Sequence, residues 1–212
     1  TFQTRPRFDL RRLSFVYFEK LATNKHERTR KKINKILCNF VFVRGKNNMS
    51  NAFENMDRMY RHQRYFYDLT RKYYLLGRDK LIAEMNVKAD ENILEVGCGT
   101  ARNLIILAKK YPNSNFFGLD ASSEMLKTSQ AKVETKGIKN LNLKVALADD
   151  FTFAQTFNQA KPFDTIFFSY SISMIPPWRE SIANALKNLK EGGSFYIVDF
   201  YDQKDLPYWI QK

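Results

Sequence analysis

The segment Asn92-Ile93-Leu94-Glu95-Val96-Gly97-Cys98-Gly99-Thr100-Ala101-Arg102 constrains this chain more than any other. Its apolar run, Ile93, Leu94 and Val96, predicts the end of a buried parallel strand, and Ala101 to Tyr111 predicts the helix that follows. Between them lies a tight turn in which glycine reaches backbone conformations closed to residues with a Cβ and lets a ligand come close to bare main chain. The loop is therefore a binding surface made of backbone. Downstream, Phe116-Phe117-Gly118-Leu119-Asp120 predicts a second strand ending in an acid, so the chain reads as α/β.

The spacing bears on the ligand. A dinucleotide loop, G-x-G-x-x-G/A, would need its third small residue at position 102, where this chain has Arg102; the third small residue here is Ala101. Glu95, two residues before the first glycine, is placed to face a cationic group, which suits a sulfonium amino acid better than a pyrophosphate. Asp120 lies where a carboxylate can accept bonds from both ribose hydroxyls. The E-x-G-x-G-T-A pattern resembles motif I of the class I S-adenosylmethionine-dependent methyltransferases. That resemblance implies a Rossmann-like three-layer sandwich and a site for S-adenosyl-L-methionine built from Glu95, Gly97, Cys98, Gly99, Asp120, Ala121, Asp149, Asp150 and Ser169. The competing reading, an α/β core without a cofactor, leaves Glu95 and Asp120 without a role.

Composition bounds the rest. A chain of 212 residues, 44% hydrophobic, can hold one α/β domain with a sizeable core. No apolar run approaches the roughly 20 residues of a membrane span. Cys38 and Cys98 form no disulfide framework, which favours a reducing cytoplasm; with only His26 and His62 and no Cys/His cluster, no metal is expected. The net charge of +13 raises a nucleic-acid partner or RNA methylation as an alternative, but residues 1–48 carry +10 of it and residues 49–212 only +3. No nucleic-acid partner is expected for the second part.

Residues 1–48 read as a basic leader outside the fold, with Arg28-Thr29-Arg30-Lys31-Lys32 at its centre. A polybasic arm, a transit peptide and translation from upstream of a start at Met49 compete, and the last is favoured. Helical periodicity runs from Asn51 to Met85 with a break near Gly77. Between Arg64 and Arg78, five aromatic rings lie among four cations, either as a cap helix with snorkelling stems or as a lid facing anionic lipid or acidic substrate. Further on, Ser122 or Ser123 caps a helix to about Lys136 with Gly137 at C′, and Leu141–Leu147 makes a third strand. Asp149 then meets an adenine amino group, with Phe151 or a neighbour beside the ring. Phe163 to Tyr170 makes the fourth strand, Trp178 to Lys190 a helix, Gly192-Gly193 a turn, and Ser194 to Phe200 the fifth strand. The C-terminal β-hairpin of the class is expected to be missing, as in a gene fragment, leaving five parallel strands with a bare edge beside the fifth.

Three stretches narrow the resemblance: Asp57 to Arg64, Tyr67 to Arg78, and Ser169-Tyr170-Ser171-Ile172-Ser173-Met174-Ile175-Pro176, together with Ile197 to Phe200 and Asp202-Gln203. They look like the BtaB family of bacterial betaine-lipid methyltransferases. The likeness runs from about Asn51 to the end of the chain. It implies three N-methylations of diacylglycerylhomoserine, a lipid substrate met at the inner face of the membrane, and partnership with a BtaA-like homoserine-lipid synthase. In-line methyl transfer needs positioning more than a covalent residue, and Tyr170, Tyr67 and Tyr73 are the candidates to hold sulfonium and ammonium charge by cation–π contact. Phospholipid or other small-molecule methylation remains the alternative.

Overall fold

Strand alternation decides the layers. Ile93 and Glu95 point to one face of the sheet, Leu94 and Val96 to the other, and all four are buried, as in a strand covered on both sides. The computed structural model describes residues 21–22 and 77–199. Its strands are β1 (Leu21–Ala22), β2 (Asn92–Val96), β3 (Asn115–Asp120), β4 (Leu141–Val145), β5 (Phe163–Ser169) and β6 (Leu189–Val198), in sheet order β1-β6-β5-β2-β3-β4. Strands β2 to β6 are mutually parallel. The order reverses at β2, and ligands of open α/β sheets sit outside the carboxyl ends at such a switch point.

Among the described residues five α-helices flank the sheet: α1 (Gly77–Glu84), α2 (Arg102–Lys110), α3 (Ser123–Thr135), α4 (Phe153–Phe157) and α5 (Trp178–Lys187). One core cluster packs Leu81, Leu104, Leu107 and Val133 of α1, α2 and α3 on Ile93, Phe116 and Phe167. The opposite cluster packs Phe157, Trp178, Ile182 and Ala185 of α4 and α5 on Leu94, Ile166, Phe168 and Phe195. This is the expected three-layer α/β sandwich. Phe117, Phe157 and Phe163 meet edge to face with ring centroids 5.3 to 5.7 Å apart, the arrangement aromatic quadrupoles prefer.

Local signals placed most boundaries. The Ser122 hydroxyl accepts from the Met125 N–H at 3.3 Å to cap α3, and Gly137 takes a left-handed φ of 62° after its end. At the amino ends of the strands Asp164 is shared: one oxygen accepts from the Asn92 N–H at 3.0 Å and the other pairs with Lys190 at 2.8 Å.

Several expectations are corrected. The edge beside β6 is not bare, and residues 1–48 are not wholly outside the fold as expected, because Leu21 and Ala22 pair antiparallel with Phe195 and Ser194. An edge strand presents unpaired N–H and C=O groups, and even a two-residue strand satisfies some of them. Gly192-Gly193 lies inside β6 rather than before it, where φ of 76° at Gly192 allows the register shift between Phe163 and Thr165. Helix α5 ends at Lys187 and β4 at Val145, both sooner than the pattern predicts. Residues 1–20, 23–76 and 200–212, with most of the basic leader, Tyr67, Tyr73 and the segment where a hairpin would begin, lie outside the described residues.

Candidate active site

The site grows from the turn between β2 and α2. Gly97 and Cys98 both donate their N–H groups to the Leu119 carbonyl, at 2.9 and 3.0 Å, which folds the loop over β3. Gly97 has φ of 72°, and a Cβ there would lie 2.6 Å from the Ser171 Cβ. Gly97→Ala should therefore destabilise the fold by about 1–3 kcal/mol through backbone strain and overpacking together, which a urea melt would read. Ser171 closes this seam by donating to the Val96 carbonyl at 2.8 Å. Gly99 differs, for nothing lies within 4 Å of where its Cβ would be. Ala101 sits fully buried at φ 55°, so the third small residue is needed to begin α2 in a left-handed conformation.

Asp120 ends β3 and ties the loop to the next helix. One carboxylate oxygen accepts from the Gly99 N–H at 2.8 Å and the other from the Ser122 N–H at 2.9 Å. A carboxylate has about four lone-pair sites, so these bonds leave it the capacity to serve as a ligand acceptor as well. From α3, Ser129 donates to the Gly99 carbonyl at 2.7 Å and fixes the peptide on its other side.

Glu95 is 2% exposed. One oxygen accepts from Asn103 Nδ2 at 2.7 Å, while Oε2 has no hydrogen-bond partner among the described residues. Burial pushes its pKa from 4.5 up to about 8, against the lowering effect of the Asn103 bond and the nearby Arg78 guanidinium. A buried carboxylate oxygen without a donor is costly, and a cationic ligand group would relieve that cost.

The other expected residues fall into two groups. Ala121 and Asp149 are half-buried and Asp150 is exposed, at the carboxyl ends of β3 and β4. Cys98 contributes its backbone, since its thiol is buried and burial pushes that thiol's pKa well up. Phe151 is 1% exposed in the core, so any ring partner for a nucleobase must be a neighbour of it. Ser169, at the end of β5, is 9% exposed, and its hydroxyl has no hydrogen-bond partner among the described residues.

Tyr170 follows with φ of 54°, and its ring is packed in the core with Leu81 and Phe167. Its hydroxyl accepts from the Gly77 N–H at 3.3 Å, which anchors α1 to the end of β5. It stands as a buried post, not as an open aromatic face. Beyond it, both oxygens of Asp199 accept from Ser173, the backbone N–H at 3.0 Å and the hydroxyl at 2.8 Å, holding the turn after β5 against the end of β6. Sequence reasoning missed Asn103, Ser129 and Ser171. Their one signal was small polar residues at positions facing the loop, which many helices and turns also carry.

A glycine turn at the switch point, with Asp120 ending the neighbouring strand β3, has the form of a nucleoside-binding α/β site. A family model described as a methyltransferase domain matches residues 87–212, more than half of the chain. The chain belongs to that family, the S-adenosylmethionine-dependent methyltransferases of class I. Curated relatives include a demethylmenaquinone methyltransferase of Listeria welshimeri, 28% identical over 66% of this chain and 57% of the relative. Another is a carboxy-S-adenosyl-L-methionine synthase of Campylobacter fetus, 29% identical over 59% of this chain and 52% of the relative. The chain thus spans little more than half the length of these relatives. Among solved structures, MccD aligns with a TM-score of 0.53 at 19% identity, covering 64% of this chain and 57% of that one. YcgJ of Bacillus subtilis aligns at 0.51 and 22% identity, covering 57% and 49%, and both show the shared fold.

Proposed function

We propose that this chain transfers methyl groups from S-adenosylmethionine to an amine, and that the amine is the homoserine nitrogen of diacylglycerylhomoserine. One observation carries the donor half: Glu95 Oε2, which has no hydrogen-bond partner among the described residues, is buried beside a glycine loop whose Gly99 is open on its Cβ side. Glu95 takes the donor's α-ammonium, Asp120 the ribose hydroxyls, and Asp149 or Asp150 the adenine amino group. Gly97 and Gly99 let the ligand lie against main chain, and Ala121 borders the nucleoside. When bound, S-adenosylmethionine supplies a methyl carbon whose bond to sulfur breaks as the acceptor nitrogen's lone pair forms the new bond, the sulfur keeping the bonding pair. The residues around it hold both partners in line and exclude water.

The acceptor half rests on the likeness of the segment from Ser169 to Pro176 to the betaine-lipid methyltransferases. The substrate would be met at a membrane surface on the cytoplasmic side, after a homoserine-lipid synthase has made it. Among the described residues no helix is long and apolar enough to cross a membrane, so access would be from the interface. Tyr67 and Tyr73 remain the candidate aromatic groups near the acceptor. A second reading, carbon methylation of a quinol, is favoured by the demethylmenaquinone methyltransferases among the relatives.

Lipid extracts separate the two. Cells expressing this chain with a homoserine-lipid synthase should accumulate the trimethylated betaine lipid, detected by mass spectrometry. Menaquinone formed in a demethylmenaquinone-accumulating strain, with no betaine lipid, would sink the amine reading.

A further inference from the structure

Arg102 stands where a dinucleotide loop would carry its third small residue, and the residue after it is a buried amide. Asn103 is 5% exposed, on a helix whose other buried residues, Leu104, Ile105, Leu107 and Ala108, are all apolar. Burying an amide on such a face is costly unless it is bonded.

Both ends of this amide are taken. Asn103 Nδ2 donates to Glu95 Oε1 at 2.7 Å, and Arg102 Nη1 donates to Asn103 Oδ1 at 3.5 Å. Arg102 is itself tied to α1, where its Nη2 donates to Asp79 at 3.0 Å. A guanidinium has donors and no acceptor, so it fixes which way the amide points; the reverse orientation would set N–H against N–H. The amide nitrogen therefore faces Glu95, whose Oε2 has no hydrogen-bond partner among the described residues.

A donor aimed at a carboxyl favours its charged form. Around Glu95 that form is contested. Burial opposes it most, and Asp120 on β3 adds to the opposition; Asn103 supports it most, followed by Arg78 on α1 and Arg102 on α2. The Cys98 thiol of the loop also faces it. We infer that Asn103 is the positioning residue of the donor site: braced by Arg102, its amide holds one oxygen of an ionised Glu95 and leaves the other aimed at the donor's α-ammonium. This rests on the donor half of the function proposed above. Donor recognition then depends on a residue that acts through another, and the departure from the dinucleotide pattern at Arg102 becomes its brace.

The test follows two readouts in the full chain. With isotope-labelled glutamate, the Glu95 carboxyl signal in NMR spectra of the unliganded chain, identified by its loss in Glu95→Gln, should titrate with a midpoint of about 8. Asn103→Leu should raise that midpoint by about one pH unit, the worth of one hydrogen bond to a charged group. Calorimetry at pH 7 should show S-adenosylmethionine binding about tenfold more weakly to the leucine variant. In a Glu95→Gln background the same leucine should change affinity by less than about twofold, because no carboxylate remains to be held. A residue that only packs α2 would weaken binding equally in both backgrounds and leave the midpoint alone. Asn103→Asp keeps the side-chain size and the Arg102 contact and should raise the same midpoint, so the test stands even if leucine unfolds the chain. An unmoved midpoint, or additive losses of affinity, would overturn the assignment alone. A wild-type chain that binds no S-adenosylmethionine would overturn the donor reading and this assignment with it.

Discussion

Glu95→Gln is expected to make the unliganded chain more stable at pH 8 and to bind S-adenosylmethionine at least tenfold more weakly. The carboxyl has a folded pKa of about 8 against an unfolded value of 4.5. Its raised pKa gives a contribution fully present below the unfolded value, lost progressively as pH rises toward 8 at about 1.4 kcal/mol per unit, and absent above it. Glutamine keeps an oxygen for Asn103 and carries no charge to desolvate, so it removes a penalty on the order of a few kcal/mol at pH 8. Binding moves the other way, because a neutral amide cannot offset the ligand's ammonium. In the wild type, affinity should fall about tenfold per unit on the acid side of about pH 8, as Glu95 gains a proton; the variant should lose that acid limb. Melting curves and calorimetry from pH 6 to 9 measure both effects. A variant with unchanged donor affinity would remove Glu95 from the site.

Asp120→Ala is the second large effect. The alanine leaves the Gly99 and Ser122 N–H groups without the carboxylate that orients them, at about 1–3 kcal/mol for each buried donor left unmet. It also removes the proposed ribose acceptor, worth roughly 1.5–3 kcal/mol as a bond to a charged group. Stability and donor affinity should therefore fall together, with affinity down about tenfold or more. Asp120→Asn separates the roles: its carbonyl oxygen replaces only one of the two oxygens that accept from Gly99 and Ser122, so it should recover part of the stability and less of the affinity. Normal donor binding in the alanine variant would refute the ribose role.

Strand β2, its glycine turn and helix α2 were legible because every cue is local: an apolar run, glycines, then an amphipathic helix. The same holds for α3, where Ser122 and Gly137 mark both ends. Helix α4 was not, since its five residues are too few to show a period and only the Thr152 cap announces it. The glycine pair in β6 misled, because a bulge inside a strand and a turn before one use the same residues for the same reason, a positive φ. In the site, Glu95 and Asp120 were visible as acids at strand ends. The burial of Tyr170, and of a Ser169 hydroxyl with no hydrogen-bond partner among the described residues, were not, for both depend on what α1 and β6 bring from distant sequence.

The placing of β2 between β3 and β5 also sets an order of assembly. Its pairing with β3 is close in sequence, but its other edge must wait for β5, and the Asn92 to Asp164 bond that pins this seam joins residues 72 positions apart. During synthesis, which adds about 5–20 residues per second, the strand that carries the glycine loop therefore emerges with one side open for several seconds. Parallel pairings of this separation are slow to close, and an open apolar edge is a template for the wrong strand. A nascent chain halted before Phe163 should consequently be rich in chaperone contacts, and one released beyond Val198 should shed them.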